Sequence, residues 1–137
     1  EADYLFIPNA GHDAQMHDVV LDASRFAVHI LGDEQAHLAN HFAVPDLTGD
    51  EQLRSVSHAV DEHGTPILDE VTAVLHCVHH DVFTAGDKSI IVGRVVEVQA
   101  NDDRGAVLYY KRTYRGVGDE LRSTLLSPVK RASNDTS

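Results

Sequence analysis

The segment 71–98 constrains the fold of this chain more than any other. Within Val71–Val78, apolar side chains recur at every second position, which is the period of a β-strand with one buried face. Gly86-Asp87 interrupts the run, and Ser89–Val98 forms a second run that is rich in β-branched residues. The pattern predicts a long β-hairpin. Because a two-stranded hairpin is only marginally stable alone, we expect other segments to supply neighbouring strands.

Short apolar runs elsewhere predict the elements around this hairpin. The connections after Val71 are too short for helical crossovers, so that half of the chain must be antiparallel. The sequence therefore predicts a mainly β fold, an antiparallel β-barrel with short α-helices. We expect strands at Tyr4–Ile7, Phe26–Leu31, Pro66–Leu68 and Ala106–Tyr110, and helices at Asp13–Ser24, Glu34–Phe42 and Glu120–Leu126.

The segments between these elements are predicted as loops and turns. Pro8 is expected to stop the first strand, and Asn9–Asp13 follows as a turn-rich loop. Val44–Gly64 is predicted as a long irregular loop, of the kind that is usually functional or mobile in a compact domain. Asn101–Gly105 is predicted as a turn, and 111–115 as a continuation that stays extended or turns.

Length and charge narrow the class of protein. The 137 residues suit one domain with a single core. A formal net charge of −11 disfavours a nucleic-acid partner or an anionic membrane surface, because both need basic patches. No apolar run has the length of a membrane span and no signal peptide is visible, so we expect a cytoplasmic protein. Cys77 is the single cysteine, so no intrachain disulfide can form.

Six segments resemble motifs of the flavin reductase-like family, the flavin-binding split barrels, and they occur along the chain in the order that the family has. The resemblance covers the chain from about Leu5 to Gly116. One piece is Ala85–Val95, which resembles the AGDH-(T/S)-hydrophobic-hydrophobic-(V/I)-G-x-V segment. The other pieces are Ser24–Gln35, similar to SGRFAVN(I/V)LSxDQ, His41–Ala43, similar to RFA, Gly64–Leu68, similar to GxPxL, Leu75–Cys77, similar to LeC, and Val107–Tyr114, similar to LLYYxGxY.

The resemblance implies a homodimeric antiparallel split β-barrel that binds FMN or FAD. It implies an NAD(P)H-dependent flavin reductase, in which NADH or NADPH reduces flavin for a separate partner monooxygenase. The domain would span residues 1–117, and 118–137 would be a C-terminal tail with a short helix. By their place in the motifs, the implied cofactor-binding residues are Asn9, Ala10, Gly11, His12, Asp13, Gln15, Lys88, Arg112 and Tyr114.

Each implied contact has a chemical rationale and a purely structural alternative. Backbone N–H groups in a glycine-containing turn before a helix suit an anion, yet Asp13 could simply cap that helix. Lys88 could pair with a phosphate or be an ordinary exposed turn lysine. Arg112 could bind a phosphate and Tyr114 could stack on a ring, or they could be a surface arginine and a tyrosine at the core edge. The sequence leaves these alternatives open.

Three departures from the family pattern motivate a second hypothesis. The serine- and threonine-rich flavin-contacting segment that precedes the first strand in the family is not found in this sequence, so we expect either a fragment or a shortened relative. Lys88 replaces the histidine that follows Gly-Asp in the hairpin turn, and His29 replaces the asparagine of FAVN. The alternative function is therefore a non-catalytic flavin-binding or interaction module of the same fold.

The ten histidines suggest a metal site as a third, weaker hypothesis. His37 and His41 lie four residues apart on a predicted helix, a spacing that can chelate zinc. His76, Cys77, His79 and His80 are also clustered, but a regular strand would divide them between its two faces. Neither group has the further ligands that make a zinc motif specific. Surface histidines and one buried cysteine explain the pattern better, and we expect no metal site.

Overall fold

The fold is mainly β, as the sequence predicts. The computed structural model describes residues 2–11, 22–43, 49–101 and 103–121. The helices are a 3-10 turn at Asp33–Gln35, α1 at Ala36–Ala43 and α2 at Gly49–Arg54. The strands are β1 Asp3–Gly11, β2 Arg25–Ile30, β3 His58–Val60, β4 Pro66–Leu68, β5 Ala73–Ala85, β6 Lys88–Ala100, β7 Val107–Tyr110 and β8 Thr113–Gly116.

The long hairpin β5–β6 is the axis of the described structure, which confirms the first sequence prediction. Its two strands pair antiparallel, and Gly86 sits in the connecting turn at φ 61°, a left-handed value that glycine adopts without strain. β1 pairs with β6 and β2 pairs with β5, which gives a four-stranded antiparallel sheet in the order β1-β6-β5-β2. β3 pairs with β4, and β7 pairs with β8.

The two ends of the long hairpin have different neighbours. We use the term turn end for the end near Gly86, where β1 is the neighbouring strand. We use the term base for the opposite end, at Ala73 and Ala100, where β2 pairs with β5. At the base, β4 packs against β2, and β7 packs against the 3-10 turn.

Gly93 lies on β6, where it pairs with Leu5 of β1 and His79 of β5. A Cβ atom on Gly93 would lie 2.7 Å from Cζ of Phe26 and 3.0 Å from Cβ of Cys77. The glycine therefore leaves room for the Phe26 ring to pack across the sheet. Cys77 is only 1% exposed, and this burial raises the pKa of its thiol. The buried apolar side chains are Val56, Leu68, Val74, Cys77, Ile91 and Val92.

Two predicted breaks in the secondary structure are wrong. Pro8 does not stop the first strand, because β1 continues to Gly11 with a register irregularity between Pro8 and Gly11. β1 is an edge strand of the sheet, and an edge position tolerates a residue that lacks an N–H donor. The segment 44–64 is not one irregular loop, since it contains α2 and β3.

The remaining element predictions are confirmed or fall outside the described residues. Strand β2, the 3-10 turn with α1, strand β4, the turn after Ala100 and strand β7 lie where they were expected. The continuation after Tyr110 turns at 111–112 and forms the additional strand β8. The predicted helices that start at Asp13 and Glu120 fall almost entirely on residues outside the described ranges.

Candidate functional site

The turn end brings together two of the predicted cofactor-binding segments. Gly11 pairs directly with Lys88 at the start of β6, beside the turn at Gly86. The Asn9–Gly11 segment is therefore part of strand β1 and not of a loop, but its expected proximity to Lys88 is real. The side chain of Lys88 is exposed. His12, Asp13 and Gln15 lie outside the described residues.

An apolar face of the sheet lies next to Lys88. Pro8 pairs with Ile90, and Ile90 pairs with Phe83, so the three side chains point to the same side. Phe6 and Tyr4 follow on that side at two-residue steps along β1. Phe6 is 61% exposed and Phe83 is 54% exposed. We call Tyr4, Phe6, Phe83 and Ile90 the aromatic face.

The other two predicted residues, Arg112 and Tyr114, lie on the β7–β8 hairpin at the base. The backbone N–H of Val107 donates to the carbonyl of Leu31 at 3.1 Å, which fixes β7 beside the start of the 3-10 turn. Strand β6 alone separates the two ends by on the order of 40 Å. The structure therefore does not bring Arg112 and Tyr114 together with Lys88 within one chain.

Tyr114 has a clear structural contact. Its ring lies 5.0 Å from the ring of Tyr109, its partner across the β7–β8 ladder, at an interplanar angle of 51°. This cross-strand aromatic pair stabilises a short hairpin that has little other packing. Arg112 is exposed, and it makes no hydrogen bond or ion pair among the described residues.

His29, which replaces the family asparagine, has a structural role. Its Nε2 accepts a hydrogen bond of 3.1 Å from the backbone N–H of Leu68, so its ring proton must sit on Nδ1. This bond ties β4 to β2 across 39 residues of sequence. Burial lowers the pKa of His29, and the nearby His76 lowers it further. Both effects keep the ring neutral, which the hydrogen bond requires.

A polar concavity of about 320 Å³ lies at the base on the sheet face that carries His76. Nε2 of His76 lies 3.1 Å from Oε1 of Gln99, and Nδ1 lies 3.9 Å from the carboxylate of Asp61. Arg25 and Glu97 complete the polar wall from β2 and β6. No sequence motif points to this group, although the two-residue alternation of β5 does place His76 and Cys77 on opposite faces.

Asp61 is held in its ionised form by the adjacent turn. The backbone N–H groups of Thr65 and His63 both donate to its Oδ1, at 2.9 and 2.8 Å. The bond from Thr65 is the largest cause that lowers the pKa of Asp61. The carboxylate therefore closes the turn between β3 and β4, and it can also orient the His76 ring.

The histidines do not form a metal centre in the part of the chain that the structure describes. No group of three or more His, Cys, Asp or Glu side chains comes together there with the geometry for a metal ion. Nε2 of His41 is 2.6 Å from the carbonyl of Gln52, so this ring joins α1 to α2. His80 packs against Tyr4, with ring centroids 4.7 Å apart. The cluster at 76–80 is thus divided among separate environments.

Within the ranges 2–11, 22–43, 49–101 and 103–121, no helix is long and apolar enough to cross a membrane.

Comparison with known proteins identifies a family. The model of the flavin reductase like domain matches residues 4–118. A flavin reductase of Pseudomonas putida is 32% identical over 94 residues, which are 69% of this chain and 54% of that protein. The reductase component of a 4-nitrophenol 4-monooxygenase/4-nitrocatechol 2-monooxygenase from Rhodococcus opacus is 38% identical over 100 residues, covering 73% of this chain and 49% of that protein. The chain spans about half the length of these curated relatives.

Solved structures agree with the fold. The NADH:FAD oxidoreductase of Streptomyces globisporus superposes with a TM-score of 0.78 at 28% identity, covering 85% of this chain and 70% of that one. The flavin reductase component of a bacterial two-component tryptophan halogenase gives a TM-score of 0.75 at 28% identity, covering 85% of this chain and 74% of that one. The predicted split-barrel class is therefore confirmed.

Proposed function

The chain belongs to the flavin reductase like domain family, and from that premise we propose that it is an NAD(P)H-dependent flavin reductase. It would use NADH or NADPH to reduce FMN or FAD, and the reduced flavin would pass to a partner monooxygenase. The observation that carries the proposal is the family match over residues 4–118. Similar proteins are named as reductase components of monooxygenases, which supports the partner. A cytoplasmic location stays a prediction.

The residues at the turn end fit a flavin. An isoalloxazine ring needs an apolar surface beside a hydrogen-bonding edge, and its ribityl phosphate needs a cation. The aromatic face supplies the apolar surface, and β1 is the sheet edge among the described strands, so its outer backbone groups are free to bind a ring edge. Lys88 supplies a cation beside Gly11. The flavin, when bound, would accept the hydride from the nicotinamide.

The protein's own contribution would be binding and orientation. Gly11 and the backbone of β1 would hold the flavin edge, and Lys88 would place a positive charge beside it. Hydride transfer between two bound cofactors needs no acid or base from the chain, so the absence of an identified catalytic carboxylate is consistent with the proposal. Exclusion of water would come from the apolar side chains around Phe6 and Phe83.

We propose further that the active form is a homodimer. Tyr4, Phe6, Phe83 and Ile90 form a contiguous exposed apolar surface, which marks an interaction site on a water-soluble chain. A second copy would also explain how Arg112 could contribute to a site at the turn end, since one chain keeps the two apart. Light scattering at micromolar concentration should give twice the chain mass, and a monomer mass would contradict the dimer.

A non-catalytic flavin-binding module is the second candidate, and Lys88 is the observation that favours it. Lys88 occupies the turn-end position where the family motif has histidine. The decisive assay is NADH or NADPH oxidation by the purified chain with and without added FMN or FAD. Flavin-dependent oxidation supports the reductase. Saturable flavin binding without oxidation supports the module, and Lys88→His should then restore turnover if this residue alone is responsible.

A further inference from the structure

We propose that the β7–β8 hairpin is a subsite for a phosphate group of a bound nucleotide, with Arg112 and Arg115 as its ligands. The proposal rests on the function proposed above, because that function supplies the nucleotide. The phosphate belongs either to the flavin, as in FMN and FAD, or to the 2′-position of NADPH. These sources share one chemistry, a phosphate dianion or diester next to an aromatic base, and the experiment below distinguishes them.

The charge distribution singles out this hairpin. The chain has 22 acidic residues against 11 lysines and arginines. Residues 107–116 carry Lys111, Arg112 and Arg115 and contain no Asp or Glu. An anionic nucleotide is repelled by most of an acidic surface, so a local group of three cations is where its phosphate is stabilised.

The two residues at the tip of the hairpin adopt a backbone conformation that residues other than glycine rarely take. Lys111 has φ 51° and Arg112 has φ 66°. Positive φ at both central residues of a two-residue hairpin turn strongly favours Asn-Gly, and other residues are disfavoured there. The family motif has glycine at the position of Arg112. A strained arginine in place of a glycine points to a role for its side chain.

Arg115 is already positioned for a ligand. Its Nε donates to the carbonyl of Tyr110 at 3.4 Å, and its guanidinium carbon lies 5.9 Å from the centre of the Tyr110 ring. Lys111 lies over the same ring, with Nζ 5.3 Å from the centre. Both terminal nitrogens of Arg115 keep their N–H groups free among the described residues, and this is the fork that binds phosphate in two hydrogen bonds.

The two arginines thus flank one exposed surface of the hairpin. The ladder pairs Tyr110 with Thr113, and Arg115 follows Thr113 on the same side. Arg112 projects from the turn next to them and makes no hydrogen bond or ion pair with the rest of the described chain. The Tyr109–Tyr114 pair on the opposite side holds the hairpin in shape. A phosphate would therefore meet one guanidinium, that of Arg115, which the Tyr110 carbonyl already anchors, on a hairpin whose backbone needs little ordering on binding.

The test compares nucleotides that differ by one phosphate. The variant is Arg112→Asn with Arg115→Gln, since asparagine tolerates the left-handed conformation that Arg112 adopts. The matched control is Arg54→Gln, an exposed arginine on α2. Dissociation constants are measured by fluorescence titration for FMN against riboflavin and for NADPH against NADH. Arg112→Lys serves as the conservative variant that keeps the charge.

We expect the double variant to weaken one phosphate-bearing nucleotide by about tenfold or more, the scale of a charge-assisted hydrogen bond. Riboflavin and NADH should change by less than about twofold, as should every nucleotide with the Arg54 control. A loss confined to FMN assigns the flavin phosphate, and a loss confined to NADPH assigns the 2′-phosphate. Unchanged ratios for both pairs overturn the subsite. Binding is measured without turnover, so failure of the reductase assay leaves this result distinguishable.

Discussion

The turn end and the base of the β5–β6 hairpin differ in the contacts that stabilise them. At the base, polar contacts join segments far apart in sequence. The N–H of Leu68 donates a hydrogen bond to His29, and the carboxylate of Asp61 lies 3.9 Å from the ring of His76. At the turn end, the backbone ladder of β1 and β6 continues, but large apolar side chains such as Phe6 and Phe83 remain exposed. Exposed apolar side chains also occur at the base, such as Val98 at 57% and Tyr109 at 62%. Among the described residues, the difference is that long-range polar contacts reinforce the base, whereas the turn end depends on the strand ladder.

The largest effect is expected from placing charge on the aromatic face. Phe6→Glu with Phe83→Glu should raise the dimer dissociation constant by more than about 100-fold, because unpaired carboxylates would be buried in an apolar interface. Sedimentation across a concentration series measures this change. Val60→Glu is the control, since Val60 is equally exposed, at 61%, but lies on β3. If the double variant stays dimeric, the aromatic face is not the interface.

Gly93 lies on β6 between the turn end and the base, and substituting it tests how tightly the sheet packs there. Gly93→Ala should destabilise the chain by about 2 kcal/mol, because its Cβ would meet Phe26 at 2.7 Å in a packed environment. Urea unfolding measures the loss, and Gly49→Ala is the control because no atom lies within 4 Å of a Cβ there. Adding Phe26→Leu should recover part of the stability. An additive double variant would mean that the ring is not what Gly93 accommodates.

Some of this arrangement could be predicted from sequence because its cause is local. Two-residue alternation and a Gly-Asp turn specify the long hairpin, and they correctly predict β5 and β6. Pro8 was misjudged because a proline is tolerated in an edge strand, and edge positions depend on the whole sheet order. The missed α2 and β3 are short elements whose pattern is weak over a few residues.

The candidate site was harder to predict because its residues are brought together, or kept apart, by the order of the strands in the sheet. The family resemblance selects Lys88, Arg112 and Tyr114 together, but only the folded topology shows that Lys88 and Arg112 lie at opposite ends. The partnership of His29 with a backbone N–H 39 residues away has no signal in sequence spacing. Long-range contacts of this kind follow from strand order, which short patterns do not determine.

The hydrogen bond between Leu68 and His29 should contribute measurably to stability at the base. His29→Leu should cost about 1–2 kcal/mol, since the N–H of Leu68 loses its acceptor in a part-buried position. Asparagine, the family residue, should cost less if its amide oxygen reaches that N–H. Urea unfolding at pH 8 measures both, and His37→Leu on the exposed side of α1 is the control. If the loss in free energy of unfolding is no greater than that of the control, the hydrogen bond of His29 does not stabilise the base.

The lowered pKa of His29 predicts that the stability of the fold depends on pH. The pKa of His29 is lowered from its ordinary value of 6.5, so below about pH 6.5 the unfolded chain binds a proton that the native protein resists. Stability should therefore fall as the pH drops from about 7 through 6.5 toward the native pKa, and His29→Leu should flatten this slope. Asp61 acts in a separate window, because its lowered pKa contributes stability that is lost only below its ordinary value of 3.8.

The smallest effect is expected where the base meets solvent. Arg104 and Glu70 form an ion pair at 2.8 Å, but the Glu70 side chain is 73% exposed, so Arg104→Gln should cost less than about 0.5 kcal/mol and nothing in 1 M salt. Glu70→Gly also removes the pair, yet it relieves a residue held at φ 60°, worth about 1 kcal/mol. Glu70→Gly should therefore be more stable than Arg104→Gln in urea unfolding. Since both variants lose the same ion pair, the reverse order would mean that the backbone conformation of Glu70 is not strained.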